Sequence, residues 1–188
     1  MSVVRVSYRY IRPVSVVFAR SLGPYEHSSR AAWRTLSNWM DAQGLRSQVK
    51  RGFGVFRDNP LVTDEEVMRY DACIEGVPGI EADPDAGIGW QTLPGGAHAV
   101  YTHIGSYGPT GELFSQLHRE YVPKRGLVVD YDRPFVAIYL NDPKITRKVH
   151  RRTELCVPVL PIKMPVAGND YDEETNFAAS ARYSAAAG

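Results

Sequence analysis

The chain has 188 residues, of which 44% are hydrophobic, so it is long and apolar enough to bury a substantial core. Its 22 lysine and arginine residues are balanced by 21 aspartate and glutamate residues, and the resulting net charge of +1 provides no global field that would attract nucleic acid or an anionic membrane. Its two cysteines are too few for a disulfide framework and lack the CxxC spacing of a zinc site.

The N-terminal segment gives no sign of secretion or membrane insertion. Arginines interrupt the apolar residues of MSVVRVSYRY, and no apolar block has the length of a signal-peptide core or a membrane span. We therefore expect a soluble, cytoplasmic protein.

Four strands and one helix are predicted in the first half of the chain. Alternation of apolar and polar residues and aromatic-rich apolar runs predict strands over residues 4–10, 14–22, 51–60 and 67–77. Apolar residues at helical spacing predict a helix over residues 29–43, with Ser28 or Ser29 as the N-cap and Gly44 just past the C-terminus.

The second half of the chain repeats this order. Strands are predicted over residues 88–93, 97–104, 134–141 and 153–159. A helix is predicted from Thr110, a good N-cap, to a point near Pro123 and Gly126.

Four landmarks indicate an internal duplication. Gly23-Pro24-Tyr25 is followed 82 residues later by Gly105-Ser106-Tyr107, and Gly44 is followed 82 residues later by Gly126. Asn59-Pro60 and Asp142-Pro143 lie 83 residues apart, as do Cys73 and Cys156, which we interpret as buried cysteines at matching strand positions. A constant offset through successive landmarks is typical of a repeat.

The predicted fold class is α+β. Each repeat has two strands, a helix and two further strands, without the βαβ alternation of a parallel sheet, so we expect a mainly antiparallel sheet with pseudo-two-fold symmetry. The predicted boundaries are a first repeat over residues 1–77, a connector rich in Pro, Gly and Asp over 78–87, and a second repeat over 88–162 that forms one compact domain with the first. A weakly ordered tail is expected over 163–188.

Five short motifs occur in a characteristic order. They are Gly-x-Tyr before a helix, Asn/Asp-Pro after an aromatic strand, Leu93-Pro-Gly-Gly96, residues 134–143 and residues 153–159. In this combination, over roughly residues 3–160, the chain resembles the GyrI-like small-molecule-binding family, which includes DNA gyrase inhibitory proteins and effector-binding domains of AraC- and MerR-type regulators. The resemblance implies a duplicated α+β module with an aromatic pocket between the repeats, used for hydrophobic and commonly cationic compounds. Some relatives look like hydrolases of reactive cyclopropane-containing toxins.

One position departs from the family pattern. Members that bind cations, and the hydrolase-like members, typically have a buried glutamate two residues before the strand tyrosine; here Tyr139 is present but Ala137 stands at the glutamate position. The carboxylate that would pair with a cation, or act as a general base, is therefore missing there. With no helix-turn-helix before residue 3, we expect a free-standing member that does not itself bind nucleic acid.

The residues predicted to line the ligand pocket are mainly aromatic. Tyr139 is expected to offer an aromatic wall and a phenol donor, with Phe56 as its repeat counterpart, and Tyr25 and Tyr107 occupy matching strand-to-helix junctions. The full predicted set is Tyr139, Tyr107, Tyr25, Phe56, Ala137, Trp90, Trp33 and Phe114. Each aromatic residue has a simpler alternative as part of the core, and Trp39 and Tyr70 are assigned to the core.

No catalytic residue, metal site or cofactor is predicted. The five histidines lack HExxH or paired metal-ligand spacing, and no GxSxG occurs. Asp71 and Glu154, at equivalent strand positions, are interpreted as solvent-facing. Two functions remain open: a module that binds or sequesters a hydrophobic aromatic compound, with a protein such as DNA gyrase or a regulator as a further partner, and a small hydrolase of the toxin-resistance type.

Overall fold

Nine strands and two α-helices are present in the computed structural model, which describes residues 5–76 and 78–162. The strands are β1 (Val6–Ile11), β2 (Val14–Leu22), β3 (Gly52–Phe56), β4 (Arg69–Glu75), β5 (Ile88–Leu93), β6 (Gly96–Ile104), β7 (Leu127–Val129), β8 (Phe135–Tyr139) and β9 (Arg152–Pro161). The helices are α1 (Tyr25–Ala42) and α2 (Thr110–Gln116), and a π-helical turn over Leu117–Tyr121 continues α2. The predicted α+β class is confirmed.

The strands form one antiparallel sheet in the order β1-β6-β9-β8-β3-β4-β2-β5, and β7 pairs with the end of β9. The first strand of each predicted repeat pairs in the other half of the sheet, since β1 pairs with β6 and β5 pairs with β2. Both halves therefore depend on strands from either side of the predicted connector. The duplication itself stays a prediction.

The two halves of the sheet join where β3 pairs with β8. In this register Gly52 lies opposite Tyr139 and Gly54 lies opposite Ala137. Because side chains alternate between the faces of a strand, Gly54, Ala137 and Tyr139 belong to the same face of the sheet. This face carries both helices.

Buried side chains form cores on both faces. On the helix-bearing face, Leu36 of α1 packs with Tyr70 of β4, while Phe114 of α2 packs with Leu155 of β9. The buried residues of the other face all come from strands and include Cys73 and Cys156, which are fully buried and unpaired. The prediction that both cysteines are buried is confirmed.

Several element boundaries differ from the predictions. Helix α1 begins at Tyr25, four residues before the predicted start, because Pro24 takes the N-cap position and the Ser28 hydroxyl donates to the Pro24 carbonyl at 3.1 Å instead of capping. Strand β3 ends at Phe56, and the α-helical part of α2 ends at Gln116. Strand β7 is missed because three residues are too few for a periodic pattern.

The predicted tail over 163–188 lies outside the described residues. Among the residues that are described, no helix combines the length and apolar character needed to cross a membrane.

Candidate functional site

A groove of about 1380 Å³ opens over the junction of β3 and β8. One side is lined by residues of α1, including Tyr25 and Trp33, and the other by residues of α2 and the turn before it, including Tyr107 and Phe114. The floor comes from the central strands, which expose Phe56 and neighbouring aromatic side chains to the groove. The groove thus draws on both halves of the sheet.

The groove is lined by nine aromatic side chains. They are Tyr25, Trp33, Phe56, Tyr70, Tyr107, Phe114, Tyr131, Phe135 and Tyr139. Most of them meet edge to face: the Tyr139 ring lies 5.5 Å from Trp33 and 5.2 Å from Tyr107, and the Phe56 ring lies 5.2 Å from Phe114. Such contacts hold the rings in defined orientations and leave a concave aromatic surface suited to a planar or multi-ring compound.

Six of the eight predicted pocket residues line this groove. They are Tyr139, Tyr107, Tyr25, Phe56, Trp33 and Phe114. They come together because α1 and α2 both pack on the face of the sheet that carries Phe56 and Tyr139.

Two of the predicted residues, Trp90 and Ala137, are not among the residues that line the groove. Trp90 lies on the edge strand β5, is 41% exposed, and its indole N–H donates to the Ile80 carbonyl at 3.2 Å. Ala137 is fully buried and packs with Phe114 and Leu155 beneath the groove. Its methyl group is too short to reach the groove from the strand that carries Tyr139.

Three further aromatic residues of the groove were not predicted: Tyr70, Tyr131 and Phe135. Tyr70 was assigned to the core, and its side chain is indeed fully buried, although it also belongs to the lining of the groove. Strand alternation offered a signal for Phe135, which lies four residues before Tyr139 and therefore on the same face. Trp39 was assigned to the core and is buried there.

A short hydrogen-bond network lies at the floor of the groove. The Trp33 indole N–H donates to the Tyr70 hydroxyl at 3.0 Å, and the hydroxyls of Tyr70 and Tyr139 lie 3.3 Å apart. Burial raises the pKa of Tyr139 to about 12 and raises the pKa of Tyr70 well above its ordinary value. Both side chains therefore remain neutral phenols at physiological pH.

The hydroxyl of Tyr25 is bound within the protein. It donates to the Asp58 carbonyl at 2.7 Å and accepts from the Asp58 backbone N–H at 2.9 Å. This arrangement ties the N-terminus of α1 to the loop after β3. Tyr25 therefore offers its ring, and not its hydroxyl, to the groove.

Cationic side chains outnumber carboxylates around the groove. Its lining contains seven lysine and arginine residues but three acidic residues, Glu26, Asp58 and Asp142. Asp58 binds Arg69 through two contacts of 2.6 and 3.0 Å, and this partner is the main cause that lowers the Asp58 pKa. Glu26 pairs with Arg30 at 3.1 Å. Asp142 is half-buried and accepts a hydrogen bond from the Lys144 backbone N–H at 2.8 Å. None of these three carboxylates is fully buried, so the described lining lacks the buried carboxylate that would favour a cationic ligand.

His118 is the histidine that lines the groove. Its Nε2 lies 2.6 Å from the Tyr131 hydroxyl, and burial lowers the pKa of its imidazole, so the ring is mainly neutral near pH 7. Within the described residues, neither His118 nor any carboxylate forms a hydrogen bond with Tyr139. The described chain also contains no group of three or more His, Cys, Asp or Glu side chains that could hold a metal ion.

The prediction that Asp71 faces solvent was wrong. Asp71 is fully buried on the face of the sheet opposite the groove, where its carboxylate accepts hydrogen bonds from Arg20 at 2.6 Å, Arg57 at 2.8 Å and Gln91 at 3.0 Å. These partners make burial of the charge possible. Glu154, which is paired with Arg9, has only 15% of its side chain exposed.

Three solved structures have a similar fold. The EcmrR C-terminal domain aligns with a TM-score of 0.68 and 16% identity, covering 86% of this chain and 100% of that chain. A hydrolase from Listeria innocua aligns with a TM-score of 0.58 and 13% identity, covering 83% and 92% of the two chains. SAV2435 bound to tetraphenylphosphonium aligns with a TM-score of 0.53 and 11% identity, covering 83% and 98%. At these identities the likeness shows a shared fold.

Sequence comparison gives a family. No curated protein shows significant similarity to the chain. The family model described as the GyrI-like small molecule binding domain matches residues 5–160, which include both halves of the sheet and every aromatic residue of the groove. The chain therefore belongs to the GyrI-like small-molecule-binding family.

Proposed function

We propose that this protein binds a neutral, hydrophobic aromatic compound in the groove over β3 and β8. The observation that supports this most directly is the combination of nine aromatic side chains with no fully buried carboxylate in the described lining. Stacking on aromatic rings favours a multi-ring ligand. A ligand cation would gain cation–π contacts, but the described lining offers no fully buried carboxylate to pair with its charge.

We also propose that the groove is the product of an internal duplication. Read inward from either edge, the sheet runs β1-β6-β9-β8 and β5-β2-β4-β3, and the two inner strands pair with each other. Strands that correspond in the two predicted repeats occupy the same place in the two runs: β1 and β5 are outermost, followed by β6 and β2, then β9 and β4, and finally β8 and β3. A pseudo-two-fold axis between β3 and β8 would then pass through the groove, as in a pocket formed between two repeats.

Hydrolysis is the alternative function, and the groove gives it less support. A general base must lie within hydrogen-bond reach of the attacking water, and Ala137 replaces the family glutamate. The word hydrolase appears in the names of two similar structures from Listeria innocua, at 13% and 11% identity. A protein partner such as DNA gyrase and a cytoplasmic location remain predictions from the sequence.

A panel of matched compounds tests the proposed ligand class. Tetraphenylphosphonium, triphenylphosphine oxide and tetraphenylborate share phenyl groups but carry positive, zero and negative charge. A ligand that binds only the folded state raises the melting temperature in proportion to ln(1+[L]/Kd), so a thermal-shift series ranks the three probes. We expect triphenylphosphine oxide to bind at least as tightly as tetraphenylphosphonium. A cation that binds more than about tenfold tighter than the neutral probe would contradict the proposal.

Two tryptophan variants locate the binding site. Trp33 lines the groove, whereas Trp90 lies on the edge strand β5. Quenching of tryptophan fluorescence by a bound probe is therefore expected to persist in Trp90→Phe and to decrease in Trp33→Phe. Equal quenching in both variants would place the ligand outside the groove.

A further inference from the structure

The floor of the groove contains more hydrogen-bond donors than the protein supplies with acceptors. Tyr70 is fully buried, and Tyr139 is partly exposed to the groove. Their hydroxyls lie 3.3 Å apart, and the Trp33 indole N–H lies 3.0 Å from the Tyr70 oxygen. These three groups form one network among the described residues.

A count of protons shows the imbalance. Trp33, Tyr70 and Tyr139 each contribute one donor hydrogen, so the network has three donors. It contains two hydrogen bonds, from Trp33 to Tyr70 and between the two hydroxyls. One phenol hydrogen is therefore left without a protein acceptor in the described structure, whichever phenol donates to the other.

Burial decides which phenol keeps the unused hydrogen. If Tyr139 donated to Tyr70, the hydrogen of the fully buried Tyr70 would remain unpaired, and an unsatisfied buried donor is costly. If Tyr70 donates to Tyr139, the unused hydrogen lies on the phenol that reaches the groove. The favoured order is Trp33 to Tyr70 to Tyr139, with the Tyr139 hydroxyl free to donate outward.

We propose that Tyr139 donates this hydrogen bond to an oxygen acceptor of the ligand, so that the groove selects aromatic compounds that carry a carbonyl-type oxygen. This inference rests on the proposed function and adds the polar group of the ligand to it. The chain of donors also polarises the Tyr139 hydroxyl, because hydrogen bonds in series strengthen one another. Protonated amines, which have no acceptor, gain nothing from this group.

The pKa shifts of the phenols agree with this role. Burial raises the pKa of Tyr139 to about 12, and the pKa of Tyr70 is raised well above its ordinary value for the same reason. Both hydrogens are therefore retained at neutral and moderately alkaline pH.

Two probes of similar shape test the proposal. Benzophenone has two phenyl rings and a carbonyl oxygen, whereas diphenylmethane has the same rings and no acceptor. We expect the wild-type protein to bind benzophenone about three- to tenfold more tightly, after correction for transfer of each probe from water to an apolar solvent, the range expected for one neutral hydrogen bond. Tyr139→Phe is expected to abolish this preference while diphenylmethane affinity changes by less than about twofold.

Tyr107→Phe tests the neighbouring phenol as the alternative donor, because Tyr107 also lines the groove and its ring lies 5.2 Å from that of Tyr139. It is expected to keep the benzophenone preference. A preference that survives in Tyr139→Phe, or that is lost in Tyr107→Phe instead, overturns the assignment. Equal binding of both probes by the wild-type protein overturns the donor proposal and leaves the aromatic groove intact as a binding site, whereas binding of neither probe overturns both proposals.

Infrared spectroscopy of benzophenone bound to the wild-type protein tests the proposal even if the Tyr139→Phe variant does not fold. A hydrogen bond to the carbonyl oxygen lowers the frequency of its stretching band relative to the same compound in an apolar solvent. We expect this lowering in the wild-type complex and its loss in Tyr139→Phe. A wild-type band at the apolar-solvent frequency overturns the proposal.

Discussion

The hydroxyls of Tyr70 and Tyr139 lie 3.3 Å apart although their strands, β4 and β8, are separated by β3. The side chains reach across β3 because Gly54 stands between them. A Cβ atom built at Gly54 would lie 2.3 Å from the Tyr70 hydroxyl and 2.8 Å from the Tyr139 hydroxyl. The absence of one side chain thus allows the two halves of the sheet to share a polar contact at the floor of the groove.

Replacement of Gly54 by alanine is predicted to separate the two hydroxyls. The added methyl group cannot occupy its position unless both phenols move, and such overpacking typically costs about 1–3 kcal/mol. We expect a lower free energy of unfolding in urea and weaker binding of benzophenone. Gly111→Ala is the control for stability, because no atom lies within 4 Å of its Cβ position and alanine favours the helix there. Equal stability of Gly54→Ala and wild type would show that the phenols adapt without cost.

Replacement of Ala137 by glutamate is predicted to raise the affinity for lipophilic cations. Ala137 lies between Phe135 and Tyr139, two groove residues on the same face of β8, so a longer side chain extends towards the groove. We expect tetraphenylphosphonium to bind about tenfold more tightly to Ala137→Glu than to Ala137→Gln, which matches its size without the charge.

The glutamine variant also controls for overpacking at this buried position, and thermal unfolding establishes that both variants fold. Isothermal titration calorimetry with tetraphenylphosphonium measures the affinities. The same affinity in both variants would mean that the carboxylate at position 137 does not reach the ligand.

Loss of the buried charge at Asp71 is predicted to destabilise the fold. Asp71→Asn leaves Arg20 and Arg57 without a carboxylate partner, and loss of hydrogen bonds to a charged group costs about 1.5–3 kcal/mol when the remaining guanidinium groups keep access to solvent. Glu26→Gln breaks a pair whose side chains are 71% and 68% exposed, so we expect a change within about 0.5 kcal/mol. Urea denaturation at neutral pH compares the two. An equal decrease in the free energy of unfolding in both variants would show that the buried position of Asp71 does not increase its contribution to stability.

The same carboxylate predicts a pH dependence. Burial raises the pKa of Asp71, but hydrogen bonds from Arg20, Gln91 and Arg57 outweigh that effect, so the pKa is lowered relative to the unfolded chain. A lowered pKa contributes stability that is present above the unfolded pKa of about 3.9 and is lost as pH falls below it. We expect the stability gap between wild type and Asp71→Asn to narrow on acidification. A constant gap from neutral pH to about pH 3 would contradict this assignment.

Alkaline pH is predicted to weaken the fold through the buried phenols. Burial raises the pKa of both Tyr25 and Tyr139 from 10.0 to about 12. Because the raised pKa belongs to the folded state, the associated stability is complete below pH 10.0 and is lost as pH rises towards about 12. Circular dichroism, together with ultraviolet absorbance of tyrosinate, measures unfolding and ionisation on the same samples. The loss of stability at alkaline pH is expected to be smaller in Tyr139→Phe than in the wild type. An equal loss in both proteins would mean that ionisation of Tyr139 does not contribute to unfolding.

Much of the fold could be predicted from local patterns. Period-two alternation and aromatic-rich apolar runs identify eight strands, β1 to β6, β8 and β9. The helical spacing of Ala32, Leu36 and Met40 identifies α1. The three-residue strand β7 and the start of α1 at Tyr25 have no such pattern, because a short pairing or a proline cap depends on what packs nearby.

The sequence by itself determined the fold class, the family and six of the groove residues, because periodicity, ordered motifs and residue chemistry are properties of short segments. Only the tertiary structure decided that β1 and β5 pair in opposite halves of the sheet, that Trp90 lies outside the groove and that Asp71 is buried. It alone showed Gly54 beneath the hydroxyls of Tyr70 and Tyr139. These features depend on strand order and register, which bring together residues far apart in the chain. Alternation of apolar and polar residues within one strand does not specify which strands pair with it.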